Sequence, residues 1–452
     1  MRRKSLLGVF LLGYFCVLLG YFCVFPRIVA GYGLRNGRKA EKKDGVPNLS
    51  FKPVVRNEME GFFAWVFPLG IRKATLLIIY PDRTARKIKK MQKLKLGVIG
   101  AGGIVCRMHL PDLAQGSDFE ISVIGGRREH RLKHQCQEFD IPHWTQDYDA
   151  IIADDTLDAI LVGTPHPLHV SWGVKALEAD KHVLMQKPLC GDMDEANQFV
   201  AATEASGKTV MCLPHFNAAI YKIRQLIAEN AIGRVSGARM RSSHGGPEIY
   251  YAEIRDIFGE SGDDLWFFDA KQASVGALFD MGVYAVSGLV AMLGTFKRVT
   301  GFVSTFDKPT QLEDVATLVL EMQSGGIVTA ETSWCDPART GEASIHGTAG
   351  KFTMPGKDDA TLSQWTPTSY TREHAPVDVK AIDCSDVAPS GMHEHFAECI
   401  REGTQPPLSN AYTARHVTEI LLAGLKSSEM GRAIELTTEA ENCGNCSSSD
   451  CC

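Results

Sequence analysis

The chain runs to 452 residues, 44% of them hydrophobic, with a formal net charge of −5, which is more than one domain's worth of ordinary globular protein. The charge splits sharply: residues 1–90 hold 18 Lys and Arg against 5 Asp and Glu, and the remainder holds 30 against 48. A body that acidic repels phosphate backbones, which argues against a nucleic-acid partner for the main domains.

After MRRK the sequence runs LLGVFLLGYFCVLLGYFCVF over residues 6–25 without a charge, matching the roughly 20 apolar residues that a membrane-crossing helix needs. The opening faintly resembles a twin-arginine export signal, but no A-x-A cleavage pattern follows. Arg27, Arg35, Arg38 and Lys39 add positive charge on the far side, so loop charge does not choose an orientation. Met91 stands just before the first strand of the next domain. Two readings of residues 1–90 stay open. They are a membrane anchor or export signal with a basic linker, or sequence upstream of a true start at Met91, which leaves a cytoplasmic protein.

From Met91 onward LKLGVIG (94–100), EISVIGG (120–126), DAILVGT (158–164), KHVLMQK (181–187) and KTVMCLP (208–214) read as short buried strands. HVSWGVKALEAD and MDEANQFVAATEASG, between them, carry apolar residues at helical spacing. Strands alternating with helices imply a doubly wound parallel sheet of Rossmann type over residues 91–214. The rhythm then changes. IYKIRQLIAENAIG reads as a helix ending at Gly233, and RVSGARMRSS, RVTGFVSTF, DVATLVLEMQSGGIVTAETSW and GEASIHGTAGKFTM read as strands in succession, with SGG as a hairpin turn. The expected second domain, residues 215–436, is α+β with a largely antiparallel sheet, closed by a helix near 410–430. Of 13 cysteines, those in the body are scattered singles, which suits a reducing compartment better than a disulfide framework. Cys443, Cys446, Cys451 and Cys452 could grip a soft metal, but residues 437–452 read as a Ser/Cys-rich disordered tail, and no metal site is predicted.

Gly100-Ala101-Gly102-Gly103-Ile104-Val105 follows a strand and opens a helix. Gly100 permits a tight turn, and Gly102 lets backbone N–H groups approach a pyrophosphate at the helix N-terminus. Val105 stands where the usual fingerprint has its third glycine. At the tip of the second strand an NAD enzyme usually places a carboxylate for the ribose 2′-OH. Here the tip reads Gly126-Arg127-Arg128. Guanidinium matches phosphate in bidentate geometry, so NADP(H) is the favoured cofactor, with NAD(H) as the other possibility.

The strand-glycine opening, TPHPLH (164–169), HVLMQKP (182–188), FDMGVY (279–284) and GTAGKF (347–352), in that order, resemble the glucose–fructose oxidoreductase/inositol dehydrogenase (Gfo/Idh/MocA) family from about Met91 to Leu436. The resemblance does not reach residues 1–90 or the Cys-rich tail. It implies cofactor contacts from Gly100, Gly102, Gly103, Ile104, Gly126, Thr164, Pro165, His169 and the family's E-K-P motif. That motif reads Gln186-Lys187-Pro188 here, keeping the lysine that reaches nicotinamide ribose and substrate hydroxyl. The family's D-x-G-x-H reads Asp280-Met281-Gly282-Val283-Tyr284, a tyrosine version shared with NADP-linked members. The three small residues expected before it read Ser274-Val275-Gly276. His215, Asn217 and Trp266, with Phe267 and His244, are position-based candidates for the substrate cleft.

Oxidising a carbinol sends hydride to nicotinamide and a proton to a base. A phenol in water keeps its proton up to pH ~10, and an ammonium beside it favours the phenolate. Tyr284 is therefore the expected acid/base, Lys187 its electrostatic partner and Asp280 the hydroxyl-orienting group, with Asp280 and Tyr284 on one helix face through i, i+4 spacing. The expected function is an NAD(P)-dependent oxidoreductase acting on a sugar, polyol or cyclic diol, in a homo-oligomer. The alternatives are a redox-neutral glycoside hydrolase using tightly held NAD, and a cofactor-sensing regulator without turnover. Arg127 and Arg128 speak against the first of these. Lys187, Asp280 and Tyr284 speak against the second, which Gln186 and Val105 leave open.

Overall fold

The computed structural model describes residues 62–68, 75–81, 92–260, 265–273, 275–356, 360–364, 378–387 and 390–440. The apolar run 6–25, the start at Met91, Ser274 and the four tail cysteines lie outside the described residues. Residues 1–89 and 90–452 are two compact units. In the first, β1 (Phe62–Pro68) and β2 (Thr75–Pro81) pair antiparallel. Both are largely apolar, FFAWVFP and TLLIIYP, in a stretch that the sequence reading treated as linker.

In the second unit, β3 (Leu94–Ile99), β4 (Phe119–Gly125), β5 (His143–Thr145), β6 (Ala159–Val162), β7 (His182–Met185) and β8 (Val210–Cys212) form a parallel sheet in the order β5-β4-β3-β6-β7-β8. Strand order runs away in opposite directions from the β3/β6 pair, and ligands of open α/β sheets bind at such a switch point. Helices α1 (Leu110–Gln115) and α2 (Glu129–Glu138) cover one face, where Leu110, Leu113 and Leu132 join Leu96, Val98 and Leu161. Helices α3 (His169–Glu178) and α4 (Met193–Ser206) cover the other, with Val170, Val174 and Phe199 against Ile160, Val162 and Val183. Asp192 caps α4 by accepting the Asp194 and Glu195 N–H groups, and Gly207 ends it in a left-handed conformation.

The chain then builds α5 (Ala218–Ala228), β9 (Val235–Ser243), α6 (Pro247–Phe258), α7 (Val283–Leu293), β10 (Phe296–Ser304), β11 (Val315–Met322), β12 (Ile327–Ser333), β13 (Gly341–Gly347), β14 (Gly350–Met354), β15 (Thr361–Gln364), β16 (Asp378–Ala381), α8 (Met392–Glu402), α9 (Ala411–Met430) and β17 (Ile434–Glu435). Nine of these strands form one sheet, β16-β15-β14-β13-β9-β12-β11-β10-β17, antiparallel except where β9 meets β12. Ser324-Gly325-Gly326 makes the turn between β11 and β12, with Gly325 at φ +87°. Helix α7 is apolar on nearly every side because it lies between α5, α9 and the inner face of this sheet, and its Val286 and Leu289 share one core with Leu318 and Val328.

Two late helices tie the sheets together. Phe396 of α8 stacks on Phe119 of β4 with ring centroids 5.8 Å apart, so α8 belongs to the core of the parallel sheet. Helix α9 starts with Ala411 in that sheet's other core and continues with Val417, Ile420 and Leu421 in the core of the nine-stranded sheet. The seven cysteines in the described residues are all free, and no helix among those residues is long and apolar enough to cross a membrane.

Candidate active site

The turn after β3 explains its glycines one by one. Gly100 holds φ +106°, and a Cβ on it would stand 2.5 Å from the carbonyl carbon of Gly163, so the ends of β3 and β6 meet only through glycine. A Cβ on Gly102 would meet no atom within 4 Å, which leaves open the space a pyrophosphate takes over the first helical turn, where N–H groups lack intrahelical partners. Val105 is fully buried, and a methyl on Gly163 would collide with it. The small residue that normally lets helix and strand approach has moved from the helix to the strand. The turn therefore fits a dinucleotide despite its departure from the fingerprint. Beyond it the helix takes one π-turn, Val105–His109, with the Leu110 N–H reaching back to the Val105 carbonyl. Pro111 has no N–H to continue the α register there.

At the β4 tip, Arg127 offers its carbonyl to the Gln146 amide at 2.8 Å. Arg128 precedes α2 and pairs with Glu260. The Arg131 fork donates to both Glu260 oxygens at 2.5 Å, and His130 Nε2 stands 2.8 Å from one of them. Hydrogen bonds from Arg131 above all hold the Glu260 carboxyl down at about 2, against the effect of burial. The basic tip thus already grips a planar anion delivered from the loop after α6.

The chemistry gathers at the end of β7. Lys187 and Asp280 have side chains only 12% and 14% exposed. Lys187 Nζ donates to the Asp280 carbonyl at 2.5 Å and to Asp280 Oδ1 at 2.8 Å, and lies 4.8 Å from the centroid of the Tyr284 ring. The other carboxylate oxygen accepts from Trp334 Nε1 at 3.0 Å and faces His244 Nε2 at 3.5 Å. His244 Nδ1 accepts the Gly246 N–H at 2.9 Å, so in the neutral ring the proton sits on Nε2, towards Asp280. Burial alone would raise the Asp280 carboxyl, but the Lys187 ammonium and His244 outweigh it and hold the group well below the usual carboxylate range. Burial likewise opposes the Lys187 ammonium, and Asp280 and then Tyr284 outweigh it, raising the lysine.

The local fold puts these groups together in a way the i, i+4 expectation did not contain. Asp280 lies in a π-turn, Leu278–Gly282, and only Tyr284 sits in the α-helix that follows. Glu313 fixes the start of the turn by accepting the N–H groups of Gly276 at 2.9 Å and Leu278 at 3.1 Å. Gly276 must be glycine because a Cβ there would strike the Glu313 backbone. Gly282 is similarly confined between Leu278 and Thr332.

Residues 94–213 match the family model described as an oxidoreductase family with an NAD-binding Rossmann fold, and residues 220–353 match the GFO/IDH/MocA C-terminal domain. The chain belongs to the GFO/IDH/MocA oxidoreductase family. D-xylose 1-dehydrogenase (NADP(+)) 2 of Haloferax volcanii is 27% identical over 344 residues, covering 76% of this chain and all of that protein. Trans-1,2-dihydrobenzene-1,2-diol dehydrogenase of Danio rerio is 24% identical over 74% of this chain and 94% of its own length. In fold, a levoglucosan dehydrogenase solved with NADH and L-sorbose matches with a TM-score of 0.62 at 18% identity, over 76% of this chain and 99% of that one.

Around this GFO/IDH/MocA cluster the remaining candidates hold varied places. His169 is buried, with Nδ1 2.7 Å from the Pro188 carbonyl and Nε2 2.8 Å from the Thr164 carbonyl, so it staples the loop after β6 to the turn carrying Lys187. Burial pushes His169 down to about 4. Thr164 Oγ1, beside Pro165, is buried without a hydrogen-bond partner among the described residues, an orphan that a bound group can satisfy. Trp266 donates to the Tyr251 hydroxyl at 2.6 Å and packs against Phe267, while His166 lies 5.6 Å from its ring. Asn217 caps α5, and His215 Nε2 faces His395 Nδ1 at 3.2 Å, so both have structural partners of their own. Gln186 is buried and its amide turns to His109.

Sequence reasoning missed Trp334, Glu260, Arg131 and His166. Arg131 had a signal, lying three residues after Arg128 at a helix start. Trp334 and Glu260 had none, because their partners lie far away in the chain.

Proposed function

We propose that this GFO/IDH/MocA member transfers hydride between NADP(H) and a hydroxyl-bearing carbon of a sugar, polyol or cyclic diol. Its acid/base group is Tyr284, assisted by Lys187. The observation that carries this is the nearly buried ammonium of Lys187, in contact with both the Asp280 carboxylate and the Tyr284 ring. Nicotinamide, when bound, takes or returns the hydride. The chain's own residues do the rest. Tyr284 holds or receives the hydroxyl proton, Lys187 stabilises the phenolate, and Asp280 keeps the ammonium charged and aimed. With both carboxylate oxygens of Asp280 engaged by Lys187, Trp334 and His244, its first task is to orient Lys187. The glycine turn, Thr164 and the Lys187–Pro188 segment would hold the dinucleotide.

Preference for NADP(H) rests on Arg127 and Arg128. The neighbouring Arg131 fork already donates to two oxygens of one anion, Glu260, the geometry a 2′-phosphate also presents. Relatives named as NADP(+) enzymes, such as the Haloferax dehydrogenase and an inositol dehydrogenase of Bacillus subtilis, agree with this.

The test is absorbance of reduced nicotinamide with a panel of sugars, polyols and diols, run with each cofactor. Turnover is expected, with kcat/KM higher for NADP(+). The Arg127→Ala/Arg128→Ala double variant should lose about 10²–10⁴-fold of kcat/KM with NADP(+), each of two charge-assisted bonds being worth ~1.5–3 kcal/mol, and little with NAD(+). Glycoside cleavage without net reduction, or binding without turnover, contradicts the reaction, and equal losses with both cofactors contradict the preference.

A further inference from the structure

The first residue of the lysine motif has a task of its own. Gln186 Oε1 accepts the Lys187 backbone N–H at 3.1 Å. A main-chain N–H only donates, so this bond fixes which end of the amide is which. The amide nitrogen then faces His109 Nε2 at 2.6 Å, and because it too only donates, that ring nitrogen carries no proton. In the neutral ring the proton sits on His109 Nδ1, which donates to His393 Nε2 at 2.9 Å. The His393 proton is consequently on Nδ1, donating to Asp112 Oδ2 at 2.5 Å. One main-chain N–H thus sets the direction of every bond from the active site to Asp112, whose side chain is 52% exposed. Both histidines are buried, and each member is satisfied without a charge in the interior.

We propose that Gln186 is a positioning residue for Lys187, fixing the turn that carries the lysine through a one-way hydrogen-bond chain, Gln186–His109–His393–Asp112, anchored on α1 and α8. Burial, joined by the neighbouring His393, pushes His109 down to about 3, in keeping with a neutral ring. The chain carries orientation and not protons, since an amide stands between the rings and the lysine. It also accounts for glutamine where the family motif has glutamate. A carboxylate only accepts, so it would need the proton on His109 Nε2. His109 Nδ1 would then accept from His393 Nε2, and His393 could meet Asp112 only by taking up a second proton. A glutamate that keeps every bond, with both carboxylates ionised, therefore requires an imidazolium in the core, at a desolvation cost the amide avoids.

The kinetic part of the proposal rests on Lys187 acting in the reaction as set out above, and the spectroscopic part does not. In the full chain labelled with ¹⁵N in its histidine rings, with assignments from His109→Asn and His393→Asn, both rings are expected to be neutral and protonated on Nδ1 at pH 7. Gln186→Glu is expected to move the His109 proton to Nε2 and to add one to His393. It should lower kcat by about 10- to 100-fold through misplacement of the lysine, while the KM for the cofactor holds within about twofold. Gln186→Met, which removes both bonds, should give the same kinetic split with no added ring proton, and serves if the glutamate variant does not fold. Wild-type rings protonated on Nε2, or charged, overturn the chain. Ring changes in Gln186→Glu with kcat unaltered overturn the positioning role and leave Lys187 untouched.

Discussion

Lys187→Met is expected to lower kcat by about 10²–10⁴-fold, the usual worth of a positioned acid/base system, with a much smaller weakening of cofactor binding. Methionine keeps most of the side-chain length and removes only the ammonium. The phenol of Tyr284 then loses the Lys187 cation over its ring, and with it the charge that offsets a developing phenolate. The fold should persist, because Trp334 and His244 still engage the Asp280 carboxylate. Steady-state kinetics together with a cofactor titration by fluorescence separates these effects. A kcat within tenfold of wild type, or loss of cofactor binding as the dominant effect, contradicts the role given to Lys187.

Asp280→Asn should carry a large cost in stability. It leaves a nearly buried ammonium facing a neutral amide, and breaking a buried ion pair from one side costs about 3–5 kcal/mol. The pH dependence follows from the two shifts. The Asp280 carboxyl is lowered in the folded protein, so its contribution is present above the unfolded value of ~3.9 and is lost as pH falls through its folded value. Lys187 is raised, so its contribution is present below ~10.4 and is lost as pH rises through its folded value. The pair therefore stabilises the wild type across the whole neutral range. In the variant, burial of Lys187 is no longer opposed by a carboxylate and disfavours the charged amine. The deficit relative to wild type should be largest at acidic and neutral pH and narrow toward pH ~10. Thermal midpoints of both proteins from pH 5 to 10 read this directly, and a gap that widens with rising pH contradicts it.

Most strands of the parallel sheet were legible because they are short apolar runs ended by turn residues; AILV of β6 is buried at every position. The β11–β12 hairpin was legible from Ser324-Gly325-Gly326. Strand β5, HWT, is too short and too exposed to carry a pattern, and α8 gives no sign in the sequence that it returns to the first sheet. The two π-turns were hidden for a physical reason. A run such as FDMGVYAV has helical periodicity, but its hydrogen-bond register depends on Glu313, which lies more than thirty residues later. Asp280 and Tyr284 stood out because a carboxylate and a phenol sit in an apolar run, the glycine turn because it joins a strand to a helix, and Lys187 through the family motif at a strand end. Trp334 did not, since a buried tryptophan at a strand end reads as core until its Nε1 is found on Asp280. Gln186 looked like a lapse from the family motif, and only its partners on other elements give it a reason.

The most direct measurement of the central claim is single-turnover hydride transfer, followed by stopped-flow absorbance of the reduced nicotinamide, in wild type and Tyr284→Phe at saturating cofactor. Removing one oxygen from a ring held under Lys187 should slow the transfer by about 10²–10⁴-fold without weakening cofactor binding. Transfer at the wild-type rate in the phenylalanine variant would mean that the proton goes elsewhere, and that the lysine and the phenol are neighbours for structural reasons only.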